Sequence, residues 1–180
     1  ETAHSVNTVV LDKTGTITQG KPVVTDVLTL GTGRDELLTV AASLEKRSEH
    51  PLAEAIAAEA EKARLTLLPV EHFEQIPGQG LRAAVDGRDC LAGNRRMMEA
   101  NGISGDPLFS RGEALAKDGK TPLYFAREGR LLGLIAVADV VKPTSAQAVA
   151  ELSGMGIEVV MLTGDNERTA EAIRRQVGVD

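Results

Sequence analysis

Apolar and polar positions along this chain alternate between two periods, one of strands and one of helices. The opening Val6-Asn7-Thr8-Val9-Val10-Leu11-Asp12 is β-branched and ends in an acid, which predicts a buried strand running into the turn Lys13-Thr14-Gly15-Thr16. Pro22–Leu30 alternates and predicts a strand leading away, broken by Gly31-Thr32-Gly33. Leu37, Leu38, Val40, Ala41 and Leu44 fall at helical spacing within Asp35–Lys46, and Leu52, Ile56 and Ala60 do so within Pro51–Arg64. A proline suits the first position of that second helix, because the N–H it lacks would have no partner there.

Strand patterning returns at Val70–Ile76, Leu81–Val85 and Cys90–Ala92, with Asp86-Gly87 as a hairpin signal between the last two. Short helices are predicted at Arg95–Ala100 and Ser110–Lys117, then strands at Thr121–Arg127 and Leu131–Ala138 around Glu128-Gly129-Arg130. The last stretch alternates helix Pro143–Leu152, strand Ile157–Leu162 and helix Asn166–Val177, which implies a parallel sheet with crossover helices. The two ends of the chain are thus alike, and the middle reads as a separate α+β unit inserted between them.

Composition narrows the function. Across 180 residues, 20 Lys+Arg against 26 Asp+Glu leave a net charge of −6, so no broad face attracts nucleic acid or an anionic membrane. No apolar run approaches the roughly 20 residues that cross a bilayer, and Glu1–Val10 carries no signal-peptide pattern. The single cysteine, Cys90, excludes an internal disulfide framework and a Cys-rich metal site and suits a reducing compartment. It reads as a small core residue, and His4 and His72 read as surface residues. Only Phe73, Phe109, Tyr124 and Phe125 are aromatic, so the core is aliphatic and a base is not held by stacking on several rings.

The candidate chemistry begins at Asp12. A carboxylate at the C-terminal end of a parallel strand stands where open α/β sheets place their ligands, and the small residues after it let backbone N–H groups converge on an anion. Such an aspartate can attack phosphorus and become an aspartyl phosphate, with a Mg²⁺ ion and nearby donors offsetting the repulsion between two negative groups. The ordinary alternative is a strand-ending Asp that caps a turn. A second strand end, Met161-Leu162-Thr163-Gly164-Asp165-Asn166, offers a threonine and a helix N-terminus to a phosphoryl group, or simply a helix cap. In the middle unit, a His before a Pro, as at His50, is ordinarily a helix-start residue and a Gly-x-Gly, as at Gly78-Gln79-Gly80, a hairpin end; alternatively Glu45 and His50 offer a carboxylate and a planar ring to a base edge, with Gly78 and Gly80 leaving backbone clear for a nucleotide.

Taken together these strings resemble a known family. Asp12-Lys13-Thr14-Gly15-Thr16-Ile17-Thr18 is similar to the phosphorylation signature of the P-type ATPases, ion pumps within the haloacid-dehalogenase superfamily, and Thr163-Gly164-Asp165 resembles their second phosphate segment, with Lys142-Pro143 also fitting the pattern. Ser48-Glu49-His50-Pro51-Leu52 resembles the signature of the heavy-metal-transporting class; Glu45 matches its nucleotide-binding acid, Pro77-Gly78-Gln79-Gly80-Leu81 its Gly-x-Gly turn, and Gly93-Asn94 its later pair.

The resemblance implies an α/β fold: a partial haloacid-dehalogenase-like, Rossmann-type phosphorylation domain with an inserted α+β nucleotide-binding domain. The expected divisions are 1–19 and 138–180 for the phosphorylation domain, incomplete at its C-terminal end, and 20–137 for the insert. ATP would bind through Glu45, Glu49, His50, Gly78, Gly80, Gly93 and Asn94. Its γ-phosphate would pass to Asp12, with Lys13, Thr14, Thr163, Gly164 and Asp165 completing the catalytic set and Mg²⁺ on the Asp12 carboxylate and the Thr14 carbonyl. Phosphatases of the superfamily carry an Asp at the place of Thr14 as general acid and base; threonine cannot serve so at neutral pH, so the acyl phosphate should persist.

The family's Gly-Asp-Gly-x-Asn-Asp string, with the third Mg²⁺ acid and a nearby lysine, is absent, as are the actuator loop and the membrane helices with their Cys-Pro-x site. The expectation is therefore a soluble piece of the cytosolic region of a membrane pump, weak in metal binding and slow to phosphorylate itself, whose partners are the actuator domain and membrane helices. An apolar edge at Val6–Leu11 would favour self-association or a poorly ordered phosphorylation half, whereas the insert should bind ATP by itself. Copper export is the favoured role, with zinc, cadmium or lead transport, a nucleotide-binding module without turnover, and a phosphatase as alternatives.

Overall fold

The computed structural model describes residues 6–48, 51–164 and 167–179, which fall into two compact units. One comprises Glu1–Lys21, Ala116–Lys120 and Asp139–Asp180, the other Pro22–Leu115 and Thr121–Ala138. No described helix is long and apolar enough to cross a membrane.

The larger unit is built on a six-stranded sheet in the order β2-β7-β6-β5-β4-β3. Its strands are β2 (Thr18–Thr29), β3 (Val70–Ile76), β4 (Gly80–Val85), β5 (Arg88–Gly93), β6 (Thr121–Arg127) and β7 (Arg130–Val141). Neighbours from β3 to β7 pair antiparallel. Successive strand residues point to opposite faces, and here both faces are covered. Cys90, Ala92 and Phe125 join Leu37, Leu38, Leu44 and Ile56 of helices α1 (Arg34–Glu45) and α2 (Pro51–Lys62). Leu91, Tyr124 and Ala126 join Met97 and Met98 of α3 (Arg95–Ala100) and Leu108 and Phe109 of α4 (Asp106–Lys117). Burial on both sides explains the near-continuous apolar run of β7.

Cys90 is fully buried in the first of these clusters, and burial pushes its thiol up to about 11. His72 is exposed; His4 lies outside the described residues. The Asp86-Gly87 and Glu128-Gly129 turns both take positive φ, 50° and 73° in the first and 51° and 74° in the second, as two-residue hairpins require.

Four element ends differ from the periodicity. β2 begins at Thr18 and β7 extends to Val141: the Lys142 N–H donates to the Ile17 carbonyl (2.9 Å) just beyond these two ends, and the Leu30 N–H to the Leu132 carbonyl (2.7 Å) at the opposite end, in a long pairing that neither strand encodes alone. The helix α4 starts at Asp106, with Pro107 in its first turn, where the missing N–H is harmless. α5 (Ser145–Gly154) starts two residues after Pro143, because the Lys142 N–H is engaged by the Ile17 carbonyl (2.9 Å).

The smaller unit pairs β1 (Thr8–Asp12) with β8 (Glu158–Leu162) in parallel. Val159, together with Ile17, Val149 of α5, Ile173 and Val177 of α6 (Glu167–Val177), and Val179, forms its core. Val10 is 59 % and Leu162 62 % exposed, and among the described residues β1 has β8 as its one strand partner. Ala116–Lys120 groups with this unit, where a Cβ at Gly119 would lie 2.9 Å from the Ala172 Cβ of α6.

Candidate functional site

Two groups of candidate residues stand in the structure. The first follows from the β1–β8 register, which sets Asp12 beside Leu162. Because the strands are parallel, Thr163 and Gly164 leave the sheet at the same end as the Lys13–Ile17 segment. Asp12, Thr14, Gly15 and Thr16 are exposed there, whereas Lys13 and Ile17 are buried. Gly15 takes φ +77°, and a Cβ at Gly20 would fall 2.9 Å from the Gly15 Cα, so both glycines serve the tightness of the turn. Asp165 lies outside the described residues.

A second set of side chains fixes this segment from outside it. The Thr18 hydroxyl, fully buried, donates to an Asp139 carboxylate oxygen at 2.5 Å, and the Gly20 N–H donates to the other oxygen at 2.9 Å. The Gly15 N–H donates to the Thr18 oxygen at 3.3 Å. Lys142 Nζ donates to the Gly15 carbonyl and the Ser145 hydroxyl to the Ile17 carbonyl, at 2.5 and 2.7 Å. The sequence shows Thr18 and Lys142 only as parts of motifs, and does not single out Asp139 or Ser145. An acid at the end of the apolar run Leu131–Ala138 was the available signal for Asp139.

Among the described residues no group of three or more His, Cys, Asp or Glu side chains could hold a cation. The Asp12 carboxylate and the Thr14 carbonyl are hard oxygen donors at an exposed strand end, and such a sparse set fits Mg²⁺, which keeps waters and phosphate oxygens as its remaining ligands.

The second group sits in the larger unit. Gly80 opens β4 and Gly93 closes β5, directly opposite each other in the antiparallel register. Asn94 follows as the N-cap of α3: its Oδ1 accepts from the Met97 N–H at 3.0 Å and its Nδ2 donates to the Gly78 carbonyl at 3.0 Å. Its backbone N–H donates to the Gln79 carbonyl at 2.9 Å. Gly78, Gly80, Gly93 and Asn94 therefore form one cluster around the Ile76–Gly80 turn.

Gly80, expected with Gly78 to leave backbone clear, and Gly93 are closed in by the chain itself. A Cβ at Gly80 would meet the Ala92 carbonyl oxygen at 2.0 Å and the Met97 sulfur at 2.8 Å; one at Gly93 would meet the Gln79 carbonyl oxygen at 2.4 Å and the same sulfur at 2.6 Å. Chain packing against chain demands glycine at both. Only Gly78, at φ +70°, has open space beside it.

Glu45 ends α1 and is 7 % exposed. Burial raises its carboxyl above the ordinary carboxylate range, partly opposed by a hydrogen bond with Ser48. Glu49 and His50 lie outside the described residues.

The chain matches the family described as haloacid dehalogenase-like hydrolase over residues 6–180. It is 46% identical over 175 residues to a copper-transporting P-type ATPase of Rhizobium leguminosarum bv. viciae, covering 97% of this chain and 21% of that protein. Among solved structures it resembles a zinc-transporting PIB-type ATPase in the E2.Pi state, with TM-score 0.86, 36% identity, and coverage of 97% of this chain and 28% of that one. It also resembles the N-domain of a copper-transporting P-type ATPase, with TM-score 0.55, 34% identity, and coverage of 63% of this chain and 98% of that one. The chain spans about a fifth of the length of the curated relatives it matches.

Proposed function

This chain belongs to the haloacid dehalogenase-like hydrolases, and from that membership we propose that it is the nucleotide-binding and phosphorylated region of a copper-exporting P-type ATPase. The observation that supports the reading is the parallel register of Asp12 with Leu162: a carboxylate and the Thr163-Gly164 segment leave the sheet at one edge, where phosphoryl transfer would need a nucleophile and donors to the phosphoryl oxygens.

In this reading ATP is held in the larger unit by Glu45, Glu49, His50 and the cluster of Gly78, Gly80, Gly93 and Asn94. An Asp12 carboxylate oxygen attacks the γ-phosphorus. The bond from phosphorus to the bridging oxygen breaks, that oxygen keeps the electron pair, and ADP departs, leaving an acyl phosphate on Asp12. The Lys13 ammonium, the Thr163 hydroxyl and backbone N–H groups near Gly15 and Gly164 offset the negative charge that gathers on the phosphoryl oxygens; Asp165 is the remaining member of the proposed catalytic set. Mg²⁺, held by Asp12 and the Thr14 carbonyl, would supply further charge neutralisation. Thr14 has no proton-transfer capacity near neutrality, so hydrolysis waits for a group from the actuator domain of a membrane pump.

Copper is favoured as cargo because the 46% identical relative is a copper transporter; the likeness to a zinc-transporting structure supports zinc as a second reading. The test of the nucleotide and phosphoryl assignments is an amide chemical-shift titration with ATP and with AMP. Shifts at Glu45, Gly78 and Gly80 are expected with ATP. Shifts confined to residues 12–16 would instead favour a phosphatase and overturn the reading.

A further inference from the structure

Besides the backbone atoms that close in on both strand-end glycines, the Met97 sulfur is the side-chain atom that a Cβ at either would meet. It is fully buried, and its sulfur lies 2.8 Å from where a Gly80 Cβ would stand and 2.6 Å from where a Gly93 Cβ would stand. Its backbone N–H is the one that Asn94 caps. Asn94 in turn holds the Gly78 carbonyl through its side-chain amide and the Gln79 carbonyl through its backbone N–H. The Ile76–Gly80 turn is therefore tied from the side by Asn94 and supported from beneath by one thioether, while Gly78 alone opens outward.

We propose that Met97 is a positioning residue of the nucleotide site: its thioether sets the height of the Gly80–Gly93 pair, and through Asn94 the path of the turn that faces the nucleotide. The inference rests on the nucleotide reading above and deepens it. An unbranched, polarisable side chain fits an irregular space over two backbones that a branched one fills poorly. Helical periodicity shows Met97 only as a core position; its neighbour Met98 is equally buried in the same cluster and makes the natural control.

The experiment compares the unaltered chain with Met97→Ala, Met97→Leu and Met98→Ala, measuring thermal unfolding, ATP affinity by calorimetry, and the amide signals of Gly78, Gly80 and Gly93 without ligand. Both alanine variants should lower the unfolding temperature. Met97→Ala should raise the Kd for ATP about tenfold and move the glycine signals, because a site allowed to shift by a fraction of an ångström loses its geometry; Met98→Ala should leave both unchanged. Met97→Leu keeps the volume, should fold even where the alanine variant does not, and should weaken binding about threefold for the same reason. Equal affinity in the unaltered chain and in Met97→Leu, or equal weakening by Met98→Ala, overturns the positioning role. Failure of the unaltered chain to bind ATP at these glycines overturns the nucleotide reading itself, and with it this role.

Discussion

The Thr18 hydroxyl donates to the Asp139 carboxylate across 121 positions of sequence, joining the segment after Asp12 to the end of β7. The same carboxylate accepts the Gly20 N–H. Thr18 is fully buried, so deleting its oxygen leaves a carboxylate and the Gly15 N–H short of a partner. Thr18→Val should destabilise the protein by about 1–3 kcal/mol, the usual penalty for stranding buried polar groups. Denaturant unfolding monitored by circular dichroism measures it; an unchanged midpoint would show that water replaces the hydroxyl without loss.

Glu45 gives a pH signature with a definite sign. Burial raises its carboxyl above the ordinary carboxylate range, so the folded protein holds that proton more tightly than the unfolded chain. Stability is then lost as pH rises from about the unfolded value through the raised folded value, and stays lost above it. Glu45→Gln should be more stable than the unaltered chain at neutral pH, with the difference vanishing in acid. Parallel thermal melts at the two pH values check this; a variant less stable at neutral pH would mean that the ionised carboxylate has a compensating partner.

The three glycines around the turn should separate. Gly80→Ala and Gly93→Ala drive a methyl group into backbone atoms at 2.0 and 2.4 Å and should cost about 3 kcal/mol or more, as forced overpacking does. Gly78→Ala meets only open space and should cost about 1 kcal/mol for its left-handed backbone. Equal unfolding midpoints for all three would contradict this ranking.

Much of the fold was legible because its signals are local. Asp86-Gly87 and Glu128-Gly129 announce their hairpins, and Arg95–Ala100 and Thr121–Arg127 run as their patterns predict. Asp12 is legible as a candidate because it opens a seven-residue string, Asp12–Thr18. Asp139 is not, since its meaning comes from a partner more than a hundred residues away, and strand alternation carries no record of which strand lies beside which. The Gly80–Gly93 pair was visible as two motifs, but their mutual contact and the sulfur beneath them depend on register.

Thr14→Asp should shorten the lifetime of the phosphoenzyme in an intact pump carrying this region, because a carboxyl two residues after the nucleophile can activate water. Chase of radiolabelled phosphoenzyme measures the lifetime. Unchanged decay would show that proton transfer is not what preserves the acyl phosphate.

The exposed Val10 and Leu162 make the β1–β8 pair prone to association, since a parallel sheet ordinarily has both faces covered. Sedimentation of this chain should show self-association that grows with concentration and that Val10→Lys suppresses. A monomer at the highest soluble concentration would remove that expectation.

Cys90 carries a last consequence. With its thiol protonated at neutral pH and sealed beneath α1 and α2, the lone sulfhydryl offers no thiolate to a soft cation or to an alkylating reagent while the sheet is intact. The rate at which iodoacetamide reaches that sulfur would therefore time the opening of the larger unit from within.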